Sequence, residues 1–265
     1  MRWKGRSLAA RGTNKEGEIK SNDHIYFSPT GGTERVALYV ANEFPGAEID
    51  LSREVQPVDM TGEDFAIVAV PSFGGRVPQI AAKGLESLRG QKTPTLLLVT
   101  YGARAYEDTL RELKDILNRQ GFVCVGAAAL ITPHSIVPAI GADRPNAEDW
   151  EKLDAFLLTV KNRLEGEGEE IQVPGNFLYK EYRVLPMEIQ TGAGCVSCGL
   201  CAENCPAEAI PRENPGTTDL EKCISCMRCV HICPQKARGV NPERLAMLRD
   251  KLEKICDSSR DIEFF

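Results

Sequence analysis

The chain has 265 residues, 42% of them hydrophobic and 26% charged, with a formal net charge of −6. Those proportions suit a globular protein of about two domains, and no apolar run approaches the ~18 residues that a membrane span requires. The acidic balance argues against a general nucleic-acid binder, whose surface must neutralise phosphates.

Residues 1–22 carry six cations (Arg2, Lys4, Arg6, Arg11, Lys15 and Lys20) and no hydrophobic period. They are expected to form a disordered extension, since a secretory signal needs an apolar core of roughly 7 to 15 residues. From residue 23 apolar, β-prone runs alternate with helical patterns. Strands are expected at 24–27, 47–51, 65–70, 95–100 and 122–131, and helices at 33–42, 78–88, 106–120 and 147–165. Phe65 to Val70 is apolar without interruption, as in a strand buried on both faces. The alternation predicts an α/β domain over 23–165, a doubly wound parallel sheet covered by helices on both sides.

Ligands of such sheets sit at the carboxyl ends of the strands. The loop after the first strand, Ser28-Pro29-Thr30-Gly31-Gly32-Thr33, offers three hydroxyls, two glycines and a helix start, which together suit a phosphate. It is neither a P-loop nor a dinucleotide fingerprint. Pro71-Ser72-Phe73-Gly74-Gly75-Arg76 follows the third strand, its glycines free to take positive φ, and Thr100-Tyr101-Gly102-Ala103-Arg104-Ala105-Tyr106 follows the fourth. His134 and Ser135 follow the fifth, where a solvent-facing histidine is the plain reading. Cys124 reads as a core thiol.

Residues 166–190 are acidic and broken by glycine and proline, and form a linker expected to run extended across the first domain. In 191–240 the run Cys195-x-x-Cys198-x-x-Cys201-x-x-x-Cys205-Pro206 recurs 28 residues later as Cys223-x-x-Cys226-x-x-Cys229-x-x-x-Cys233-Pro234. Thiolates two residues apart can wrap one face of an iron-sulfur cubane. Zinc sites favour paired short motifs, and a disulfide lattice needs an oxidising compartment. About 50 residues cannot bury enough apolar surface to fold unaided, so these metal centres would act as staples. Lys222 and Arg228 read as solvated surface charges. Residues 241–265 hold a helix and tail, with Leu245, Leu248, Leu252 and Ile255 on one face and Cys256 as a helix residue.

The two runs resemble the ligand pattern of bacterial two-cluster ferredoxins, in which the fourth cysteine of each run serves the other cluster. That resemblance implies one 4Fe-4S cluster on Cys195, Cys198, Cys201 and Cys233 and a second on Cys223, Cys226, Cys229 and Cys205. Ser28, Thr30, Gly31 and Thr33 resemble the phosphate loop of the flavodoxin family, which implies a five-stranded sheet of order 2-1-3-4-5 binding FMN. The implied flavin contacts are Ser28, Thr30, Gly31, Gly32 and Thr33, then Pro71, Ser72, Phe73, Gly74 and Gly75, then Thr100, Tyr101, Gly102 and Tyr106. Tyr101 is the first choice for stacking on the flavin and Tyr106 the second. Taken together, the order of domains resembles flavodoxin-ferredoxin fusions of the EFR1 type. There the third loop has Asn where this chain has Ala103, and a His-Ser pair matches His134 and Ser135.

The expected function is electron transfer between the two clusters and FMN, from a low-potential one-electron donor to a flavin-linked acceptor. The alternative is a flavin-dependent reductase of a small molecule such as a quinone. The partner would be a redox protein or a small-molecule acceptor, with no nucleic acid and no membrane span, in a reducing cytoplasm.

Overall fold

The strand Phe65–Pro71 divides its side chains between two cores. Phe65, Ile67 and Ala69 enter one, and Ala66, Val68 and Val70 enter the other. Strict alternation on an apolar strand requires a layer on each face, and the rest of the domain supplies both.

The computed structural model describes residues 22–53, 55–61, 64–166, 169–183 and 185–265. The extension expected over 1–22 lies outside them, except that Asn22 already begins a strand. In chain order the elements are β1 (Asn22–Tyr26), α1 (Gly32–Ala41), β2 (Ala47–Asp50), β3 (Val58–Asp59), β4 (Phe65–Pro71), α2 (Gln79–Leu85), β5 (Leu88–Arg89), β6 (Thr93–Tyr101), α3 (Thr109–Arg119), β7 (Phe122–Ile131) and α4 (Ala147–Glu165). There follow β8 (Ile189–Thr191), α5 (Leu200–Glu203), α6 (Arg228–His231), β9 (Arg238–Val240), α7 (Pro242–Glu253) and β10 (Glu263–Phe264).

The main sheet runs β10-β7-β6-β4-β1-β2. Its first five strands in sequence pair in parallel, in the order 2-1-3-4-5 of a flavodoxin-like, doubly wound sheet. One face carries α1 and α4 through Val36, Val40, Leu153 and Val160. The other carries α2, α3 and α7 through Ala81, Leu85, Leu110, Leu113 and Leu252.

Three features depart from the sequence reading. The helix expected over 78–88 stops at Leu85, one residue beyond Gly84, and Leu88–Arg89 pairs with β3 in a small second sheet. The helix expected from 106 begins at Thr109, because Tyr106 to Asp108 form a turn with Glu107 at φ 44°. The tail after α7 returns to the sheet: β10 pairs antiparallel with β7, and Phe264 stacks on Phe156 at 4.7 Å. Leu245, Leu248 and Leu252 face the core as expected, but Ile255 lies past the end of α7 and is 46% exposed, and Cys256 likewise follows the helix.

The segment 169–183 is tied along the first domain. Ile171 donates to the Cys124 carbonyl (2.9 Å), both Asn176 and Lys180 donate to the Asp108 carboxylate, and the Tyr179 hydroxyl donates to Asp115 (2.6 Å). β8 and β9 pair antiparallel and bracket the cysteine-rich segment.

Candidate functional site

The 28-residue repeat is a repeat of backbone as well as of cysteines. Ser197 and Ser225 both have φ 52°, Gly199 and Met227 are both left-handed (77° and 64°), and Glu208 and Lys236 have φ 50° and 48°. Left-handed residues are costly outside glycine, so matched ones mark a loop shape that the ligand spacing imposes. The same peptide donates to the fourth thiol of each run: Ala209 N–H to Cys205 Sγ and Ala237 N–H to Cys233 Sγ, both at 3.3 Å.

All ten cysteines are free thiols, and eight of them gather in two sets of four. Cys205, Cys223, Cys226 and Cys229 line one cavity, which opens in part to solvent. Cys195, Cys198, Cys201 and Cys233 line another. Each set takes three members from one run and one from the other. Among the described residues no group of three or more His, Cys, Asp or Glu is placed to hold a single metal ion. Four thiols spread around a cavity suit a larger, sulfur-bridged group. Burial pushes the Cys226 thiol up to about 12, so its ligation must be coupled to loss of its proton. Cys233 is held below the usual thiol range: burial opposes this, but the peptide N–H groups of Ala237, Arg238 and Gln235 outweigh it.

The two cavities differ in position. Met227 joins Met187 and Ile189 in a small core against Ile136, from the loop after β7, and Ile224 packs on the main core. Arg228 donates to the Ser52 hydroxyl and lies 3.8 Å from Asp50, at the carboxyl end of β2. This inner cage therefore docks on the edge where the sheet's loops emerge. The outer cage has an exposed Cys198 beside Val196, which is 64% exposed. Arg228 is thus no solvated surface charge; its side chain is 15% exposed.

At the sheet edge the predicted flavin residues separate into two groups. Gly31 caps α1 at φ 86°, and no atom lies within 4 Å of the place a Cβ would occupy. Thr30, Gly31 and Gly32 are partly open around it, and Gly32 backs onto the Thr132 side chain. The Ser28 hydroxyl accepts from Glu34 N–H (2.9 Å), and Thr33 and Thr100 share a buried hydroxyl pair at 2.7 Å, so these three shape the loop from within. In the second loop Phe73 and Arg76 bond each other's backbones, and Pro71, Ser72, Phe73 and Gly74 retain exposure. Gly75 is buried, and a Cβ there would strike the Glu107 carboxylate at 1.9 Å.

Tyr101 and Tyr106, the two candidates for stacking, both lie in the interior. They are 4% and 8% exposed and pack edge to face at 5.4 Å. The Tyr106 hydroxyl donates to Glu263 in β10 (2.9 Å), so the returning tail reaches this aromatic pair at Tyr106. Gly102 lies against His134, whose ring is itself half-buried instead of solvent-facing. His134 Nδ1 accepts from the N–H groups of Ile136 and Val137, both at 3.2 Å, which leaves the proton of the neutral ring on Nε2. Burial, then the nearby Arg104 charge, pull this histidine down to about 4. The docking residues Ile224, Met227 and Arg228 escaped the sequence reading. Comparing the repeats position by position would have exposed them, because their counterparts are Val196, Gly199 and Leu200.

Residues 194–238 match the family model of the 4Fe-4S dicluster domain. No curated protein matches the chain. Among solved structures it is similar to a "putative flavoprotein" from Bacteroides uniformis ATCC 8492, with 16% identity, 42% of this chain and 90% of that one covered, and a TM-score of 0.35. It is also similar to a flavodoxin from Streptococcus pneumonia TIGR4, with 18% identity, 54% and 98% covered, and a TM-score of 0.38. At those scores the likenesses carry no argument; the strand order assigns the fold.

Proposed function

We propose that this chain is an electron-transfer protein of the flavodoxin-ferredoxin fusion kind. It links a low-potential one-electron donor, through two 4Fe-4S clusters, to FMN bound without a covalent bond at the carboxyl edge of the sheet. The observation that carries the reading is the crossed grouping of the eight thiols, with one of the two sets docked on that edge. Cys195, Cys198, Cys201 and Cys233 would hold the outer cluster, and Cys205, Cys223, Cys226 and Cys229 the inner one. When bound, such clusters pass single electrons, and a flavin accepts one or two.

The protein's own contribution is placement. Thr30, Gly31 and Gly32 at the start of α1 provide an open, left-handed turn for the phosphate, and Ser28, Thr33 and Thr100 hold that turn from behind. Phe73, Gly74 and Ser72 form the rim on which the ring system would rest; Tyr101 and Tyr106 support the wall and do not stack. Arg228 and Met227 keep the inner cage against the edge, and the exposed outer cage is where a redox partner protein or small-molecule acceptor would exchange electrons. Free thiols of this kind suit a reducing compartment such as the cytoplasm.

Anaerobic purification followed by absorbance spectroscopy and metal analysis tests the reading. Flavin bands, a broad shoulder bleached by dithionite and about eight iron atoms per chain are expected, as two cubanes require. A colourless protein with about two zinc atoms would overturn it.

A further inference from the structure

The loop after β7 borders the candidate flavin site from a side that the sequence reading did not use. A Cβ on Gly32, in the phosphate turn, would meet the Thr132 hydroxyl at 3.2 Å. One on Gly102, in the third loop, would strike the His134 ring at 2.4 Å, so only glycine admits the imidazole there. Thr132 N–H also donates to the Tyr101 carbonyl (3.0 Å), which fixes this loop beside the third one.

The turn that carries His134 is firmly held. Its N–H donates to the Ile140 carbonyl (3.0 Å), and Nδ1 accepts from the Ile136 and Val137 N–H groups, both at 3.2 Å. With Nδ1 occupied as an acceptor, the neutral ring carries its proton on Nε2. Among the described residues that N–H has no hydrogen-bond partner, and the ring keeps partial exposure. Burial, then the Arg104 charge, keep the ring neutral above about pH 4. Two residues on, Ile136 packs against the small core of Met187, Ile189 and Met227, which also borders Cys223 and Cys229 of the inner cage. One short turn thus touches the third loop with its ring and the core of the inner cage with Ile136.

A fixed, uncharged N–H donor has a specific use beside a flavin. Reduction places negative charge on the N1 and carbonyl edge of the ring system, and a hydrogen bond strengthens when its acceptor becomes ionised. Such a donor favours the reduced cofactor over the oxidised one, whereas contacts to the phosphate hold both alike.

We propose that His134 is a further flavin-site residue, whose Nε2–H donates to the N1 and carbonyl edge of the bound ring system and makes that flavin easier to reduce. The inference rests on the flavin half of the reading above. Gly102 then has a role of its own, since a side chain there would push the imidazole away from the site.

Two substitutions separate the ring's two nitrogens. His134→Asn keeps an acceptor near the Nδ1 position, for the turn, and removes the donor at Nε2. His134→Gln reaches the Nε2 position with an N–H. The measurement is binding of oxidised and of reduced FMN to the full, iron-loaded chain under anaerobic conditions, with the flavin midpoint read from its absorbance bands. His134→Asn should weaken oxidised FMN about threefold, the loss of a neutral hydrogen bond, and reduced FMN about thirtyfold, the loss of a charge-assisted one. The midpoint then falls by about 30 mV, the tenfold difference for two electrons. His134→Gln should recover most of that fall. An unmoved or raised midpoint in His134→Asn would overturn the proposal, and so would equal weakening of both forms, because His134 would then only shape the loop. Failure of both variants to fold would assign the ring to the scaffold and end the proposal as well. A wild type that takes up iron but binds no FMN in either state would instead remove the flavin reading on which the inference stands.

Discussion

Arg228 donates to the hydroxyl of Ser52 at 2.6 Å, joining residues 176 positions apart in the chain. Around that bond stand Asp50 and the half-buried Glu34, whose carboxyl is pushed up by burial and by Asp50 while Arg228 opposes the shift. The contact joins the inner cysteine cage to the end of β2, and Arg228's counterpart in the first run, Leu200, has no donor with which to make it.

Arg228→Ala should therefore loosen the inner cage from the sheet. A hydrogen bond to a charged, mostly buried group contributes roughly 1.5–3 kcal/mol. The expected result is faster amide exchange over 223–231 with β4 and β6 unchanged. Equal exchange in both proteins would mean the cage is held elsewhere, through Met227 and Ile224.

The crossed cages make a prediction that sequence neighbours would not suggest. Cys205→Ala and Cys229→Ala belong to different runs but line one cavity, so they should give matching paramagnetic spectra of the surviving cluster. Cys205→Ala and Cys201→Ala, close neighbours in sequence, should leave different ones. Identical spectra for that second pair would show that each run ligates its own cluster.

His134 sets a pH dependence of stability. Its folded pKa, about 4, lies below the ordinary value of 6.5, so the unfolded chain binds more protons between the two. Its contribution is complete above about pH 6.5 and is lost as pH falls toward 4, on the order of 3 kcal/mol in all. His24, also pulled down by burial, acts in the same direction. His134→Asn keeps an acceptor for the Ile136 and Val137 N–H groups and does not titrate. Its denaturant midpoint should fall less between pH 7 and pH 4.5 than that of the wild type, and parallel curves would count against the assignment.

The tail strand should matter to the first domain although it is only two residues long. Phe264 stacks on Phe156, Ile262 is buried, and Glu263 accepts from Tyr106. Phe264→Ala should cost about 1–3 kcal/mol, less than the 3–5 of a fully buried phenylalanine because Phe264 is partly exposed. Thermal unfolding measures this directly. Removal of residues 261–265 should in addition uncover the Tyr101–Tyr106 pair and make its fluorescence accessible to a soluble quencher.

Iron removal should unfold one half alone. Between residues 192 and 238 the buried apolar side chains are few, chiefly Ala202, Ala209, Ile210, Cys226 and Met227, while the sheet has two full cores of its own. Chelation under reducing conditions should raise amide exchange across 195–238 and leave 65–131 protected. Protection of both halves after full loss of iron would contradict the staple argument.

Local chemistry determined much of this protein from sequence alone. Unbroken apolar runs such as Phe65 to Val70 and Leu96 to Val99, too short for a helix, read as buried strands, and the doubled cysteine spacing reads as two ligand runs. Tertiary structure alone decided what depends on distant segments meeting. A two-residue strand at Glu263 has no periodicity to read, yet its arrival gives the Tyr106 hydroxyl an acceptor 157 residues away. Arg228 looks like any surface charge until the fold brings Asp50 and Ser52 to it. Sequence spacing records how residues are spaced along the chain; which face of a loop is covered, and by what, is set by contacts more than a hundred residues apart, whose energies appear only when the chain has closed on itself.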